Sequence, residues 1–168
     1  MDAPDDGAEF ELYLLRHAHA GNSATWDGPD SERPLSRKGR RQSEMLGAFL
    51  ADRAFAPDAI VTSPLLRARQ TAQIVADALG IGVSVDDRLG GPLDFELLNV
   101  LVDGVGGTSV VLVGHDPDFS DIAAALTGTE YLPLKKGALA RIDVSRPIQP
   151  STGVLRWLLP PELIADRT

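Results

Sequence analysis

Two arginines and two histidines stand where predicted strands end or a predicted helix begins, and these residue types can bind and transfer a phosphoryl group. Arg16 and His17 directly follow the apolar run 12–15, His115 follows a second apolar run, and Arg67 lies near a helix start. The planar guanidinium of arginine binds oxyanions through paired donors, and an unprotonated imidazole is a nucleophile. In one pocket, the four side chains would clamp the oxygens of a phosphoryl group.

Position in the fold decides between this interpretation and a simpler one, a surface arginine beside a hydrogen-bonded histidine. In open α/β sheets, ligands bind just beyond the carboxyl ends of the strands. The first and fourth strands are both internal by hydrophobicity, and each ends in a histidine. We therefore expect Arg16, His17, Arg67 and His115 to converge at one edge of the sheet, with His17 exposed at the end of its strand.

The helix that carries Arg67 has a strong start signal, with Ser63 as the N-cap and Pro64 at the first helical position. A cation in the first turn opposes the helix dipole and costs ~0.3–1 kcal/mol. A bound anion would reverse the sign, because the helix N-terminus and Arg67 would then both attract it. Arg69 is expected to point elsewhere, two residues further round the helix.

Strands and helices alternate along the predicted chain and are followed by two final strands. The predicted elements are strand 12–15, a helix capped by Ser36 and reaching about Arg53, strand 59–61, the helix opened by Ser63, strand 82–85, helix 94–102, strand 109–113, a helix from Asp118 closed by Gly128, and strands 138–144 and 154–159. Such alternation implies right-handed crossovers and helices on both faces. The predicted fold is α/β, a three-layer sandwich around a mainly parallel sheet.

Composition narrows the function classes. The chain has 168 residues and a net charge of −8, which disfavours nucleic acid or an anionic membrane as a partner. It has no cysteine, hence no disulfide, no thiolate metal site and no cysteine nucleophile. No apolar run approaches the ~20 residues of a membrane span, and the acidic N-terminus is unlike a secretory signal. We expect a cytoplasmic protein with a disordered tail over 1–9 and a single domain over 10–168.

Four motifs occur in an order that resembles the histidine phosphatase superfamily, whose fold is phosphoglycerate-mutase-like. They are Leu15-Arg16-His17, Arg33-Pro34-Leu35-Ser36-Arg37-Lys38-Gly39, Ser63-Pro64-Leu65-Leu66-Arg67-Ala68 with Gln70-Thr71, and Val113-Gly114-His115. The small size and the His115-Asp116-Pro117 sequence are most similar to the bacterial phosphohistidine phosphatases of the SixA type.

The resemblance implies a mechanism and a set of roles. His17 would attack phosphorus and be transiently phosphorylated, Arg16, Arg67 and His115 would hold the phosphoryl oxygens, and water would release phosphate. Neither a metal nor a cofactor is implied. The flanking cations should keep His17 neutral near pH 7 by opposing its protonation. The partner would be a phosphorylated protein carrying phosphohistidine, or a small phosphorylated substrate.

Two departures from the family pattern bear on the substrate. Ala18 stands where the family usually has glycine, and 89–91 (Leu-Gly-Gly) stands where many members carry a glutamate as general acid. Asp86, Asp87 and Asp116 are substitutes for that acid, although each suits a turn or a helix cap. An alkoxide leaving group needs a proton donor, whereas phosphohistidine can leave as neutral imidazole. Phosphohistidine on a signalling protein is therefore the predicted substrate.

Three alternatives remain open from the sequence. A metal-dependent hydrolase could use His17, His19, His115 and Asp116 as ligands, although nearby arginines would repel a cation. A phosphate- or phosphopeptide-binding module could keep the pocket and lack turnover. A phosphatase or mutase for small metabolites would need a lid, and the segment 86–93 is short. The sequence leaves the oligomeric state open.

Overall fold

The computed structural model describes residues 9–165 and contains one six-stranded sheet with four α-helices in that range. The strands are β1 (Glu9–Arg16), β2 (Ala59–Thr62), β3 (Ser84–Val85), β4 (Ser109–Gly114), β5 (Leu139–Ser145) and β6 (Val154–Leu159). The helices are α1 (Arg37–Asp52), α2 (Leu66–Leu79), α3 (Phe95–Asp103) and α4 (Asp118–Thr127). The tail predicted over 1–9 lies outside the described residues, except that Glu9 is the first residue of β1.

The strand order is β3-β2-β4-β1-β5-β6. Parallel pairing joins β3 to β2, β2 to β4 and β4 to β1, while β5 and β6 are added in antiparallel register. The sheet is therefore mainly parallel, as the alternation of strands and helices predicts. Its two central strands are β4 and β1, and these are the strands that end in the two histidines of interest.

Alternating side chains of the central strands fill two separate cores. Leu12, Leu14, Val110 and Leu112 face α3 and α4, and their immediate neighbours Tyr13, Leu15, Val111 and Val113 face α1 and α2. Successive residues of a strand point to opposite faces of the sheet. Since helices cover both faces, all eight side chains are buried. The three-layer α/β sandwich is confirmed.

Two helix starts test the capping predictions. Ser36 caps α1 as predicted, and its Oγ accepts the Gly39 N–H at 3.1 Å. The prediction for α2 is wrong by two residues, because Leu65 is the N-cap and Leu66 the first helical residue. Ser63 stays with the sheet edge, where its N–H continues the β2–β4 ladder to the Val113 carbonyl at 2.9 Å.

The third strand is also shorter than predicted, since only Ser84 and Val85 pair with β2. The other predicted elements agree with the structure to within a few residues. Among residues 9–165, no helix combines the length and the hydrophobicity that a membrane span requires.

Candidate active site

Three neighbouring strands end at the same edge of the sheet and bring the predicted residues together. Arg16 at the end of β1 is in register with Gly114 at the end of β4, and the His17 N–H donates to the Gly114 carbonyl at 2.9 Å. On the other side of β4, Ser63 follows β2 and leads into α2. The ends of β1 and β4 and the turn before α2 therefore surround one point.

His17 is held as a neutral imidazole with a defined tautomer. Its Nδ1 donates to the Ala18 carbonyl at 2.7 Å, and its side chain is only 5% exposed. Burial lowers the pKa of His17 to about 3; the hydrogen bond to the Ala18 carbonyl opposes this shift, whereas the charges of Arg67 and Arg16 add to it. The proton of the neutral ring lies on Nδ1, so the lone pair is on Nε2. The expected lowering of the pKa is present, but its main cause is burial.

The exposure of His17 differs from the sequence expectation. A histidine just past a strand was expected at the surface, whereas its ring is buried. The reason is that the segment after β1 turns inward. The Ala18 N–H donates to Thr71 Oγ1 at 3.1 Å, which holds that segment against α2. His17 is therefore partly a packing residue as well as a site residue.

His115 lies beside His17, with ring centroids 5.6 Å apart. Its Nε2 is 2.6 Å from Ser63 Oγ, and that oxygen also accepts the Leu65 N–H at 3.2 Å. The other ring nitrogen, Nδ1, has no hydrogen-bond partner within residues 9–165. Burial lowers the pKa of His115 to about 4, with a further contribution from Arg67.

Arg16 is fixed at the end of β1 by the segment before β5 and the start of α4. Its Nη1 donates to the Leu134 carbonyl at 2.8 Å and lies 3.2 Å from Asp116 Oδ2. Asp116 in turn accepts hydrogen bonds from the N–H and hydroxyl of Ser120, at 3.0 and 2.6 Å. Ser120 Oγ also accepts the Leu134 N–H at 2.9 Å, so these residues form a closed frame around the guanidinium.

Arg67, the second residue of α2, is 7% exposed although it carries a charge. Its Nη1 donates to the Asp30 carbonyl at 2.8 Å, and its Nη2 donates to Asp30 Oδ2 at 3.0 Å. Arg69 is exposed, as predicted from its position two residues further along the helix. Only one of the two arginines on this helix can therefore reach the site.

Gln70 and Thr71 explain how α2 is positioned. Thr71 Oγ1 donates to the Arg67 carbonyl at 2.8 Å and accepts the Ala18 N–H, so one hydroxyl ties the helix to the residue after His17. Gln70 Oε1 accepts the Leu35 N–H at 2.8 Å, which ties the same helix to the segment before α1. Thr71 and Gln70 therefore fix α2 relative to the segment after His17 and to the segment before α1.

Asp30 is the residue at this site that sequence reasoning missed. It lies in the segment 22–34 between β1 and α1, which contains short 3₁₀ turns at Ser23–Thr25 and Asp30–Glu32. Nothing in the sequence distinguishes Asp30 from Asp27 or Glu32 on the same loop. Only the path of the loop across the start of α2 selects it.

The three buried side-chain polar atoms without a hydrogen-bond partner in residues 9–165 all belong to the predicted site. They are Arg16 Nε, Arg67 Nε and His115 Nδ1. Leaving a buried donor unsatisfied costs ~1–3 kcal/mol, more for a charged group. Their clustering on three converging residues indicates that this edge is arranged for binding an anion rather than for stability.

The sequence-based candidates for a general acid have structural partners. Asp86 caps the 3₁₀ turn Asp87–Gly90 by accepting the Arg88 N–H at 3.0 Å, and its Oδ2 lies 2.7 Å from Arg88 Nη2. The hydrogen bond from the Arg88 side chain lowers the pKa of Asp86. Asp116 holds Arg16 and the first turn of α4. Asp87 lies in the 3₁₀ turn itself. Capping and positioning account for Asp86 and Asp116.

The alternative metal site is not assembled from its proposed ligands. His19 points its Nδ1 at Ser36 Oγ, 2.6 Å away, at the start of α1. Within the described part of the chain, no three His, Asp or Glu side chains form a group that could hold a metal ion. His17 and His115 instead lie next to two guanidinium groups, whose charge suits an anion.

Comparison with known proteins relates the sequence and the fold to one family. Residues 12–90 match the model of the histidine phosphatase superfamily, branch 1. An uncharacterised protein of Picosynechococcus sp. is 37% identical over 77% of this chain and 82% of its own length. Phosphohistidine phosphatase SixA of Escherichia coli is 26% identical over 90% and 94%. The structure of the protein histidine phosphatase SixA complexed with tungstate superposes with a TM-score of 0.77 at 25% identity, over 92% of this chain and 99% of that one.

Proposed function

The chain belongs to the histidine phosphatase superfamily, and on that basis we propose that it removes phosphate from phosphohistidine on a signalling protein, through a phosphohistidine formed on its own His17. The observation that carries the proposal is the state of this ring. It is neutral, it donates from Nδ1 to the Ala18 carbonyl, and it lies beside His115 and within the field of two arginines. This arrangement leaves the Nε2 lone pair for phosphorus.

In the first step, the Nε2 lone pair of His17 attacks phosphorus and the phosphorus–nitrogen bond of the substrate breaks. The electron pair returns to the substrate imidazole, which leaves neutral because its second nitrogen has been protonated from solvent. In the second step, a water oxygen bonds to phosphorus and the bond to Nε2 breaks. The water proton passes to solvent, and the products are inorganic phosphate and neutral His17.

The charge that builds up on the phosphoryl oxygens is met by fixed cations in this proposal. Asp116 holds Arg16, Arg67 lies buried in the first turn of α2, and His115 adds Nδ1, which has no partner within residues 9–165. Donors that are already in place stabilise a transition state without reorganising. Two guanidinium groups supply the positive charge that a bound cation supplies in other phosphatases, so we propose a metal-independent reaction.

The choice of phosphohistidine over an ester follows from the surroundings of the acidic residues. Asp116 is occupied by Arg16 and Ser120, and the side chain of Arg88 lowers the pKa of Asp86. A carboxylate with a lowered pKa is a poor proton donor to an alkoxide leaving group. Phosphohistidine does not need such a donor, since its leaving group is imidazole. The similarity to phosphohistidine phosphatase SixA over 90% of the chain supports the same substrate.

One comparison of substrates tests the proposal. Turnover of a phosphohistidine peptide should exceed that of serine phosphate or phosphoglycerate by at least ~10²-fold, the lower worth of general acid catalysis. An aryl phosphate, which has a better leaving group, should fall between them. All rates should survive treatment with a chelator.

Other outcomes would favour the alternatives. Equal or faster turnover of alkyl phosphates would indicate a small-metabolite phosphatase with a proton donor at the site, and Asp116 would be the first residue to replace. Tight binding of phosphate without turnover of any substrate would indicate a phosphate- or phosphopeptide-binding module.

A further inference from the structure

A lysine lies next to the site on the segment that closes over the end of β1. Gly137 donates its N–H to the carbonyls of both Arg16 and His17, each at 3.0 Å, so the residue before it, Lys136, is fixed beside the site. The side chain of Lys136 is half-buried. Burial lowers the pKa of Lys136, and so do the nearby charges of Arg16, Arg33, Arg67 and Lys38.

The lysine next to it in the chain has a different environment. Lys135 Nζ lies 2.6 Å from Glu162 Oε1, so its charge is neutralised within the protein. Within residues 9–165, Lys136 and the exposed Lys38 make no ion pair. Two adjacent lysines therefore differ in whether their charge is free for a ligand.

Lys38 in the first turn of α1 adds a positive charge on this side of the site. Four of the first five residues of α1 are cationic and none is acidic (Arg37-Lys38-Gly39-Arg40-Arg41). Cations at a helix N-terminus oppose the helix dipole, so this arrangement costs stability. The same turn is packed against the segment after His17, where a Cβ on Gly39 would clash with the His19 carbonyl.

Arg33, on the loop that leads into α1, is also close to these lysines but is already paired with Asp30. Its Nη1 donates to the Ala20 carbonyl at 2.7 Å, and its Nε lies 3.2 Å from Asp30 Oδ1. Arg33, Lys38 and Lys136 all act on His19, whose pKa is lowered first by burial and then by these three charges. In a chain with a net charge of −8, the segment 33–38 and Lys136 thus place cations around His19, two positions after His17.

We propose that Lys136 and Lys38 form a docking surface for acidic side chains of the partner protein that surround its phosphohistidine. This inference rests on the proposed function. The transferred phosphoryl group is already matched by Arg16 and Arg67, so the additional cations are available to a second anion. They come from two segments that are distant in sequence and include an exposed lysine, which fits several carboxylates on a protein surface better than one small metabolite.

Two synthetic phosphohistidine peptides of equal length test the inference, one with Asp and Glu around the phosphohistidine and one with Ser and Asn. The wild type should show kcat/KM about tenfold higher for the acidic peptide, since exposed charge pairs each contribute about two- to fivefold. The double variant Lys38→Ala/Lys136→Ala should bring that ratio close to one. Added salt should do the same in the wild type, because exposed charges are screened.

Lys135→Ala is the matched control, because it removes the same charge one residue away from a lysine that is already paired. It should keep the preference for the acidic peptide. Equal rates on the two peptides in the wild type, or an equal loss of preference in Lys135→Ala, would overturn the inference.

Failure of the proposed function is recognised separately. In that case an aryl phosphate is turned over and neither peptide is dephosphorylated. The docking surface is then tested by inhibition of aryl phosphate turnover with the unphosphorylated acidic peptide. Inhibition in the wild type that is lost in Lys38→Ala/Lys136→Ala would support the surface, and no inhibition in the wild type would overturn it.

Discussion

Asp30 contacts Arg67 through both its backbone and its side chain, and so covers the guanidinium that is expected to bind a phosphoryl group. The Asp30 carboxylate is 60% exposed, whereas the Arg67 side chain is 9% exposed. Burial raises the pKa of Asp30, but the hydrogen bonds and charges of Arg33 and Arg67 outweigh it and lower the pKa. Because Arg67 is also proposed to bind the substrate's phosphoryl group, we expect the ionised Asp30 carboxylate and the phosphoryl oxygens to compete for this arginine.

Replacing Asp30 by Asn should tighten the binding of vanadate or inorganic phosphate. The variant removes the competing charge and keeps the backbone carbonyl that also holds Arg67. We expect a gain of up to about fivefold, since a pair with one exposed partner is worth ~0.2–1 kcal/mol. Glu32→Gln changes the net charge equally from the same 3₁₀ turn and should have little effect. Weaker binding in Asp30→Asn would mean that Asp30 positions Arg67 rather than competing for it.

Arg67→Ala should weaken vanadate binding much more than Arg69→Ala does. Arg67 is buried beside the two histidines, while Arg69 is exposed on the same helix. Hydrogen bonds to charged groups contribute ~1.5–3 kcal/mol, which corresponds to a loss of about 10- to 100-fold for Arg67→Ala. Titration of both variants, with urea unfolding as a check on folding, measures this. Equal effects would place the phosphate elsewhere on α2.

His17→Ala should abolish turnover, because the variant lacks the nitrogen that attacks phosphorus. Reactions quenched during turnover should contain an acid-labile, base-stable phosphoryl group on the wild type only. Since the side chain is only 5% exposed, we expect a stability loss of ~1–3 kcal/mol as well. His17→Asn, which fills more of the space, separates the two effects. Substantial activity in a folded variant would refute the role of His17.

The low pKa values of the two histidines predict a loss of stability in mild acid. The pKa is lowered from 6.5 to about 3 for His17 and to about 4 for His115. Below about pH 6.5, the unfolded chain takes up protons that the folded protein does not. The free energy of unfolding therefore decreases as the pH is lowered, until the pH reaches the pKa values of the two histidines in the folded protein. Between its unfolded and its folded pKa, each histidine lowers the free energy of unfolding by up to ~1.4 kcal/mol for each pH unit of acidification.

Urea unfolding at several pH values between about pH 7 and about pH 4.5 measures that slope. His115→Asn removes one titrating group and should reduce the slope relative to the wild type. His19→Asn should also reduce the slope, because burial and nearby cations lower the pKa of His19 as well. A slope that is unchanged in His115→Asn would mean that His115 titrates alike in the folded and unfolded states.

Much of the site could be predicted from local sequence. Apolar runs that stop at Arg16-His17 and just before His115 indicate strand ends, and parallel strands end at one edge of a sheet. The position of Arg67 near the beginning of α2 could likewise be predicted, even though the start of this helix was predicted two residues too early. These inferences succeed because strand and helix periodicity depend on side chains that are close in sequence.

Other features depend on segments that are distant in sequence. Asp30 reaches Arg67 across 37 positions, and Lys136 lies beside the site only because the segment before β5 closes over the end of β1. The burial of His17 depends on α2 packing against the residue after it, through Thr71 and Ala18. The order β3-β2-β4-β1-β5-β6 and the antiparallel addition of β5 bring these segments together. The local sequence therefore determined which residues are candidates for the active site. Tertiary packing decided the burial, the pKa values and the charged neighbours of these residues, because those properties depend on contacts between segments that are far apart in the sequence.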